Sequence, residues 1–185
     1  VLLRHGQSTW NHLHLIQGQN DEAVLTQKGK EQARLAAAEL REHPFDVIIS
    51  SDLTRTLETA QIVGEQLGLG VELAVGLRER DYGVLEGRPA SEMTVAESGI
   101  SGYRVVDDDA SPLEGESLRE LLQRAGNFME ELRSKRAGQR MLLVTHGGTI
   151  RALRAYCQGE SMMNLEWDRV GNCSLWDVTL PASTS

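Results

Sequence analysis

Apolar residues in this chain come in short runs that each end in a polar loop. Between these runs lie longer stretches whose apolar positions recur every three or four residues, and the alternation predicts strands joined by helices. Residues 1–3 predict a buried strand that delivers a polar loop over 4–19. Thr26 is the expected N-cap of a helix running to 42, a stretch rich in Ala, Leu, Glu, Gln and Arg that Pro44 stops. The β-branched run Val47-Ile48-Ile49 predicts a second strand over 45–50, followed by polar Ser50-Ser51-Asp52. Leu53, Leu57, Ala60, Gly64 and Leu67 then share a helical face, and Gly68 and Gly70 end that helix. Residues 71–75 predict a third strand, and 77–88 a charged loop. Periodicity is weak over 89–115, which holds Gly99, Gly102, Asp107-Asp108-Asp109 and Pro112, so it is expected to be a lid or insertion. Leu118, Leu121, Leu122, Ala125 and Leu132 mark an amphipathic helix over 117–134; 141–145 is the next buried strand. A helix follows Gly147-Gly148 through Ile150, Leu153 and Tyr156, and 173–178 alternates like a closing strand. The expected fold is α/β: a three-layer α/β/α sandwich with a mostly parallel sheet, helices on both faces and a small lid insertion at about 89–115, all in one domain over 1–185.

The chain has 185 residues, 40% hydrophobic and 25% charged, which suits a single core and excludes wholesale disorder. The formal charge of −8 argues against nucleic acid as the main partner, since a phosphate-coating surface needs the opposite sign. The longest apolar runs, such as 141–144, are far shorter than a membrane span, so no membrane partner is expected. Cys157 and Cys173 lie in neither a metal-type nor a C-x-x-C spacing, and fit a reducing, cytoplasmic compartment. A chain that begins in mid-strand at Val1 is expected to have residues, or a removed leader, before it.

Ligands of open α/β sheets sit beyond the carboxyl ends of the strands. Three loops meet that condition here: Arg4-His5-Gly6, residues 51–55 ending in Arg55, and His146-Gly147-Gly148. Any one of these cationic side chains, taken alone, is more often a surface group or a satisfied core histidine. Their recurrence after three strands in an acidic chain points to one anionic ligand. Arginine's planar fork matches two phosphate oxygens and a neutral imidazole is a nucleophile, so a phosphoryl group is the natural choice. Its transfer also needs a proton for the leaving oxygen, for which the charged loop offers Glu79, Asp81 and Glu86 without a means of choosing. His12 and His14 are spaced like ligands on a strand but lack acidic or cysteine partners, so no metal and no cofactor are expected. Trp167, Trp176 and Phe128 are expected to pack, and the two cysteines to behave as small buried hydrophobes.

The run Leu3-Arg4-His5-Gly6-Gln7-Ser8-Thr9-Trp10-Asn11 resembles the signature of the histidine phosphatase superfamily in its phosphoglycerate mutase-like branch: an aliphatic residue, Arg-His-Gly-x-Ser/Thr, and often x-x-Asn. The likeness continues in order through Gln17-Gly18 with Leu25-Thr26 and Gly29, Ser50-Ser51-Asp52-Leu53 with Arg55-Thr56 and Thr59-Ala60, Leu77-Arg78-Glu79 with Gly83 and Glu86-Gly87, Gly115-Glu116-Ser117, and Val144-Thr145-His146-Gly147-Gly148. The resemblance implies His5 as the nucleophile that becomes phosphohistidine, with Arg4, Arg55 and His146 holding the phosphoryl oxygens and Glu79 as proton donor. It also implies phosphate contacts at Asn11, Gln17 and Gly18; Gly147, with Gly6 and Gly148, is expected to permit a tight turn beside the ligand. Residues 79–83 resemble a mutase loop, Glu-Arg-His-Tyr-Gly, with Asp81 replacing His, which implies that Arg80 and Tyr82 bind a phosphoglycerate-like acid. The stretch from Arg80 to Thr145 is short for the mutase branch, so a phosphatase of small phosphate monoesters is expected first, a cofactor-dependent phosphoglycerate mutase second, and an inactive phosphate-binding module third. The expected partner is a small phosphorylated metabolite. Its identity and the oligomeric state, a homodimer being one option, stay open.

Overall fold

The computed structural model describes residues 1–102, 104–164 and 170–180. The main elements are β1 (Leu2–Arg4), α1 (Thr9–Leu13), α2 (Gln27–Leu40), β2 (Val47–Ser50), α3 (Thr54–Leu67), β3 (Val71–Leu73), α4 (Val95–Ser98), β4 (Ile100–Ser101), β5 (Arg104–Val105), α5 (Leu118–Lys135), β6 (Met141–Thr145), α6 (Gly147–Gln158) and β7 (Leu175–Trp176). One sheet has the order β3-β2-β6-β1-β7, parallel throughout except for β7, which runs antiparallel to β1. Arg4 lies opposite Thr145 and Ser50 opposite Val144, so β1, β6 and β2 end level. Their following loops therefore emerge side by side at one edge of the sheet, as the strand–loop pattern predicts.

Side chains alternate across the strands and build a core on each face. Leu3, Ile48, Leu142 and Val144 pack with Ala36, Ala37 and Leu40 of α2 and Ala60 and Val63 of α3. Leu2, Val47, Ile49 and Leu143 face the other way, against Leu121, Ala125 and Phe128 of α5 and Ile150 and Leu153 of α6. Helices thus cover both faces of a mostly parallel sheet. Thr26 caps α2 by accepting the Gly29 N–H at 3.0 Å, and Gly68 closes α3 with a left-handed φ of 69°. The Ser117 hydroxyl and Glu120 carboxylate form a reciprocal capping box that starts α5.

The structure departs from the sequence reading in four places. Residues 9–13, expected within a loop, form α1, started by a Ser8–Asn11 capping box. The third strand stops at Leu73, because a 3-10 turn over Val75–Leu77 takes the chain toward the site. The closing strand is reduced to Leu175–Trp176. His12 lies in the last turn of α1 and His14 is its C-cap with φ 58°, so the two are exposed at a helix end rather than spaced along a strand. Phe128 is buried and Trp176 half-buried, as packing residues should be, while Trp167 lies outside the described residues. Cys157 and Cys173 are free and half-buried.

Segment 89–115 holds a 3-10 turn, α4 and the antiparallel pair β4 and β5. Val105 pins it into the core formed with α5. Among the described residues no helix is long and apolar enough to cross a membrane.

Candidate active site

His5 follows β1 and is 2% exposed. Its backbone N–H donates to Thr145 O of β6 at 3.0 Å, which fixes the residue against the sheet. On the ring, Nδ1 lies 2.7 Å from Gly6 O. A carbonyl can only accept, so the ring proton belongs on Nδ1 and Nε2 keeps its lone pair. Burial, and then the charges of Arg4 and Arg55, hold this imidazole well below the ordinary histidine value of 6.5. The result is a neutral, oriented imidazole with one nucleophilic nitrogen. The backbone here is crowded: a Cβ on Gly6 would sit 2.4 Å from Gly29 O, and one on Gly29 would sit 2.1 Å from Gln7 O. Two glycines therefore let the start of α2 pass directly over the loop that carries His5.

His146 is the N-cap of α6 and is completely buried. Its ring centroid lies 5.2 Å from that of His5, at an interplanar angle of 61°, and Nε2 is 3.0 Å from Ser51 Oγ beyond β2. Burial and the charge of Arg55 depress its pKa well below 6.5. Arg55, in the first turn of α3, has no exposed surface. Its Nη1 donates to Asn20 O at 2.9 Å and Nη2 to Gly18 O at 2.6 Å. Desolvation lowers its pKa to about 10, which leaves it a cation at neutral pH. Arg4 donates from Nη1 to Val170 O, and its Nε lies 3.6 Å from where a Cβ on Gly147 would stand.

Buried polar atoms are almost always paired. Arg55 Nε and His146 Nδ1 are buried with no hydrogen-bond partner among the described residues. Both side chains flank His5, so the site has polar capacity available for a ligand.

The structure separates the three acids of the charged loop. Glu79 sits at the N-terminus of α6, where Oε2 accepts the Gly148 N–H at 3.1 Å and Oε1 accepts the Thr149 N–H at 3.2 Å and the Arg80 N–H at 2.9 Å. A Cβ on Gly148 would lie 2.5 Å from Oε1, so glycine is what admits the carboxyl. Asp81 accepts the Gly83 N–H within its own turn, and Glu86 accepts N–H groups of Gln19 and Tyr82. Of the three, Glu79 alone meets the helix that begins at His146.

Among the expected substrate contacts, Asn11 and Gln17 lie beside Ser8. Asn11 Oδ1 accepts the Ser8 N–H at 3.2 Å and Asn172 Nδ2 at 3.0 Å, and Gln17 Oε1 accepts the Ser8 hydroxyl at 2.6 Å. Gly18 supports Arg55, and Gly147 lies against Arg4 and Arg151. Tyr82 is half-buried, its phenol pKa raised by desolvation and by the charge of Glu79. Arg80 corrects the expectation of a substrate contact. It is completely buried, and its guanidinium donates to the carbonyls of Glu116 (2.7 Å), Ser98 (2.7 Å), Ala110 (2.9 Å) and Glu97 (3.3 Å). The side chain is a clasp that ties segment 89–115 to the body.

Three residues that support the site were not singled out from the sequence. Ser51 orients His146. Asn172 Nδ2 bridges Asn11 Oδ1 and the carbonyl of His5, the latter at 3.1 Å. Arg124 grips the carbonyls of Gly76 (3.0 Å), Arg78 (2.8 Å) and Glu79 (3.1 Å) and pairs with Glu116 at 2.7 Å, which holds the Glu79 loop. Arg124 left a trace in the sequence: it stands three residues after Leu121 and four before Phe128, on the apolar stripe of α5 where a charge needs a reason.

The model of the histidine phosphatase superfamily (branch 1) matches residues 1–183. A probable phosphoglycerate mutase GpmB of Yersinia pestis is 37% identical over 175 residues, covering 94% of this chain and 81% of that protein. Among solved structures, a mycobacterial glucosyl-3-phosphoglycerate phosphatase in complex with VO3 is similar with a TM-score of 0.82 at 32% identity, covering 94% of this chain and 88% of that one. A phosphoserine phosphatase of Entamoeba histolytica in complex with 3-phosphoglyceric acid gives 0.79 at 26% identity over 93% and 85% of the two chains. With the neutral His5, the buried Arg55 and His146 and the helix-bound Glu79 arranged at one sheet edge, the chain belongs to the histidine phosphatase superfamily, branch 1.

Proposed function

We propose that the protein is a phosphatase that hydrolyses small phosphate monoesters through a phosphohistidine at His5. The observation that carries this reading is the His5 ring itself, which burial keeps neutral while the Gly6 carbonyl holds Nδ1 and leaves Nε2 to attack. In the first displacement the Nε2 lone pair forms a bond to phosphorus, the ester P–O bond breaks, and the leaving oxygen takes a proton from the Glu79 carboxyl. In the second, water attacks phosphorus and gives its proton to the Glu79 carboxylate; the N–P bond breaks, and inorganic phosphate and free His5 are restored. Arg4, Arg55 and His146 bind the three non-bridging oxygens and stabilise the charge that gathers on them. Asn11, Gln17, Gly18, Tyr82 and Gly147 form the rim that receives the ester. Segment 89–115 acts as the lid of this single domain, and the ligand is a small phosphorylated metabolite handled in the cytoplasm.

Phosphoglycerate mutase is the second reading, favoured by the name of the Yersinia relative. Its residue-level support weakens once Arg80 is committed to the lid. The deciding experiment compares the wild type and His5→Ala on p-nitrophenyl phosphate, phosphoserine and 3-phosphoglycerate. Phosphate release by the wild type alone, with a labelled phosphoryl group trapped on His5, is the expected result. A label on another residue, or isomerisation of 3-phosphoglycerate with a bisphosphorylated primer outpacing phosphate release, overturns it.

A further inference from the structure

Glu86 has no part in the two displacements above, yet its carboxylate is half-buried close to the site. Its Oε1 accepts the N–H of Gln19 at 2.7 Å and the N–H of Tyr82 at 3.1 Å, joining the loop that follows α1 to the loop that follows Glu79. Backbone bonds between the same two loops, Gly87 N–H to Ile16 O at 2.8 Å and Ile16 N–H to Arg88 O at 2.9 Å, align them. The carboxylate lies directly on the Gly18 backbone: Gly18 has φ 49°, and a Cβ there would fall 1.8 Å from Glu86 Oε1.

The other side of that loop holds Arg55. The carbonyls of Gly18 and Asn20 accept its two terminal nitrogens, while Nε has no partner among the described residues. The place of the guanidinium is therefore set by residues 18–20, and the place of residues 18–20 is set by Glu86. The negative charge of Glu86 also favours the charged form of Arg55.

We infer that Glu86 is a positioning residue for phosphoryl transfer: it fixes the loop over 18–20 so that the carbonyls of Gly18 and Asn20 aim Arg55 at the phosphoryl group. The inference rests on the reading of Arg55 as a phosphoryl-binding residue. It assigns Glu86 no contact with the substrate and no proton transfer.

A double-mutant cycle separates this role from general stabilisation. The wild type, Glu86→Ala, Arg55→Ala and the double variant are compared by kcat/KM on p-nitrophenyl phosphate and by calorimetric affinity for vanadate. Glu86→Ala is expected to lower both quantities about tenfold when Arg55 is present and to change neither when Arg55 is absent. Glu86→Gln, whose amide oxygen accepts the same two N–H groups, is expected to lose about threefold and carries the same cycle if the alanine variant does not fold. Equal factors in the two backgrounds, or no loss with Arg55 present, overturn the inference. A wild type that binds vanadate but releases no phosphate removes the phosphatase reading and leaves vanadate affinity to decide on Glu86. A wild type that does not bind vanadate overturns both.

Discussion

Two backbone N–H groups at the start of α6 and the N–H of Arg80 hold the Glu79 carboxyl, while Gly148 supplies the space it occupies. This arrangement gives the proposed proton donor a leaving-group signature. Glu79→Gln keeps the shape but has no proton to give, so kcat/KM is expected to fall by about 100-fold or more for alkyl phosphates and much less for p-nitrophenyl phosphate, whose leaving group departs without help. Equal slowing of the two substrates would contradict the donor role. Gly148→Ala places a methyl group against Oε1 at 2.5 Å, and the carboxyl has to move. The same selective loss on alkyl phosphates is expected there, with stability changed far less than activity as measured by chemical denaturation. An alanine variant with unaltered leaving-group dependence would show that the position of Glu79 is not what matters. At this scale the convergence of Arg4, His5, Arg55 and His146 was legible because they stand at or just beyond the carboxyl ends of strands, whereas Glu79 was told from Asp81 and Glu86 only by the motif it falls in. Ser51, Asn172 and Arg124 were not, since each acts through a bond to a residue far along the chain.

Helices with clean apolar periodicity and a good cap were legible almost to the residue. Thr26 and Gly68 bound α2 and α3 as expected, and Ser117 caps α5. The five-residue helix α1 was hidden because none of its residues is buried, leaving no apolar stripe to read. The segment over 89–115 was opaque for a related reason: it is fastened by Arg80 donating to backbone carbonyls, which any sequence supplies. The clasp makes its own prediction. Arg80→Ala leaves buried carbonyls without a donor and is expected to cost on the order of 3 kcal/mol in chemical denaturation and to speed proteolytic cleavage within the segment. Arg80→Lys should rescue little, because one ammonium cannot replace a planar fork that reaches four carbonyls. A lysine variant of normal stability but raised KM would instead return Arg80 to the substrate.

Folding buries His5 and His146 in their neutral forms, and this links the stability of the whole molecule to pH. In the unfolded chain both imidazoles take up a proton near pH 6.5, whereas in the folded protein desolvation and the neighbouring arginines hold their pKa values well below that. Between the folded and unfolded values the unfolded state binds more protons, so stability rises with pH across that window. Stability is therefore whole above about pH 6.5 and is lost as pH falls, with a limiting slope of about 1.4 kcal/mol per pH unit for each histidine. Glu86 works the other way: burial raises its pKa, so as pH falls toward the carboxylate range the folded state takes up this proton first and gains stability. Two histidines outweigh one carboxyl, and the carboxyl acts lower in the range. Denaturation midpoints measured from about pH 7.5 to about pH 5 are expected to fall, and the fall should flatten by about half in His146→Gln. The same dependence with both histidines replaced would place the acid sensitivity elsewhere and contradict the burial of neutral imidazoles on which the nucleophile depends.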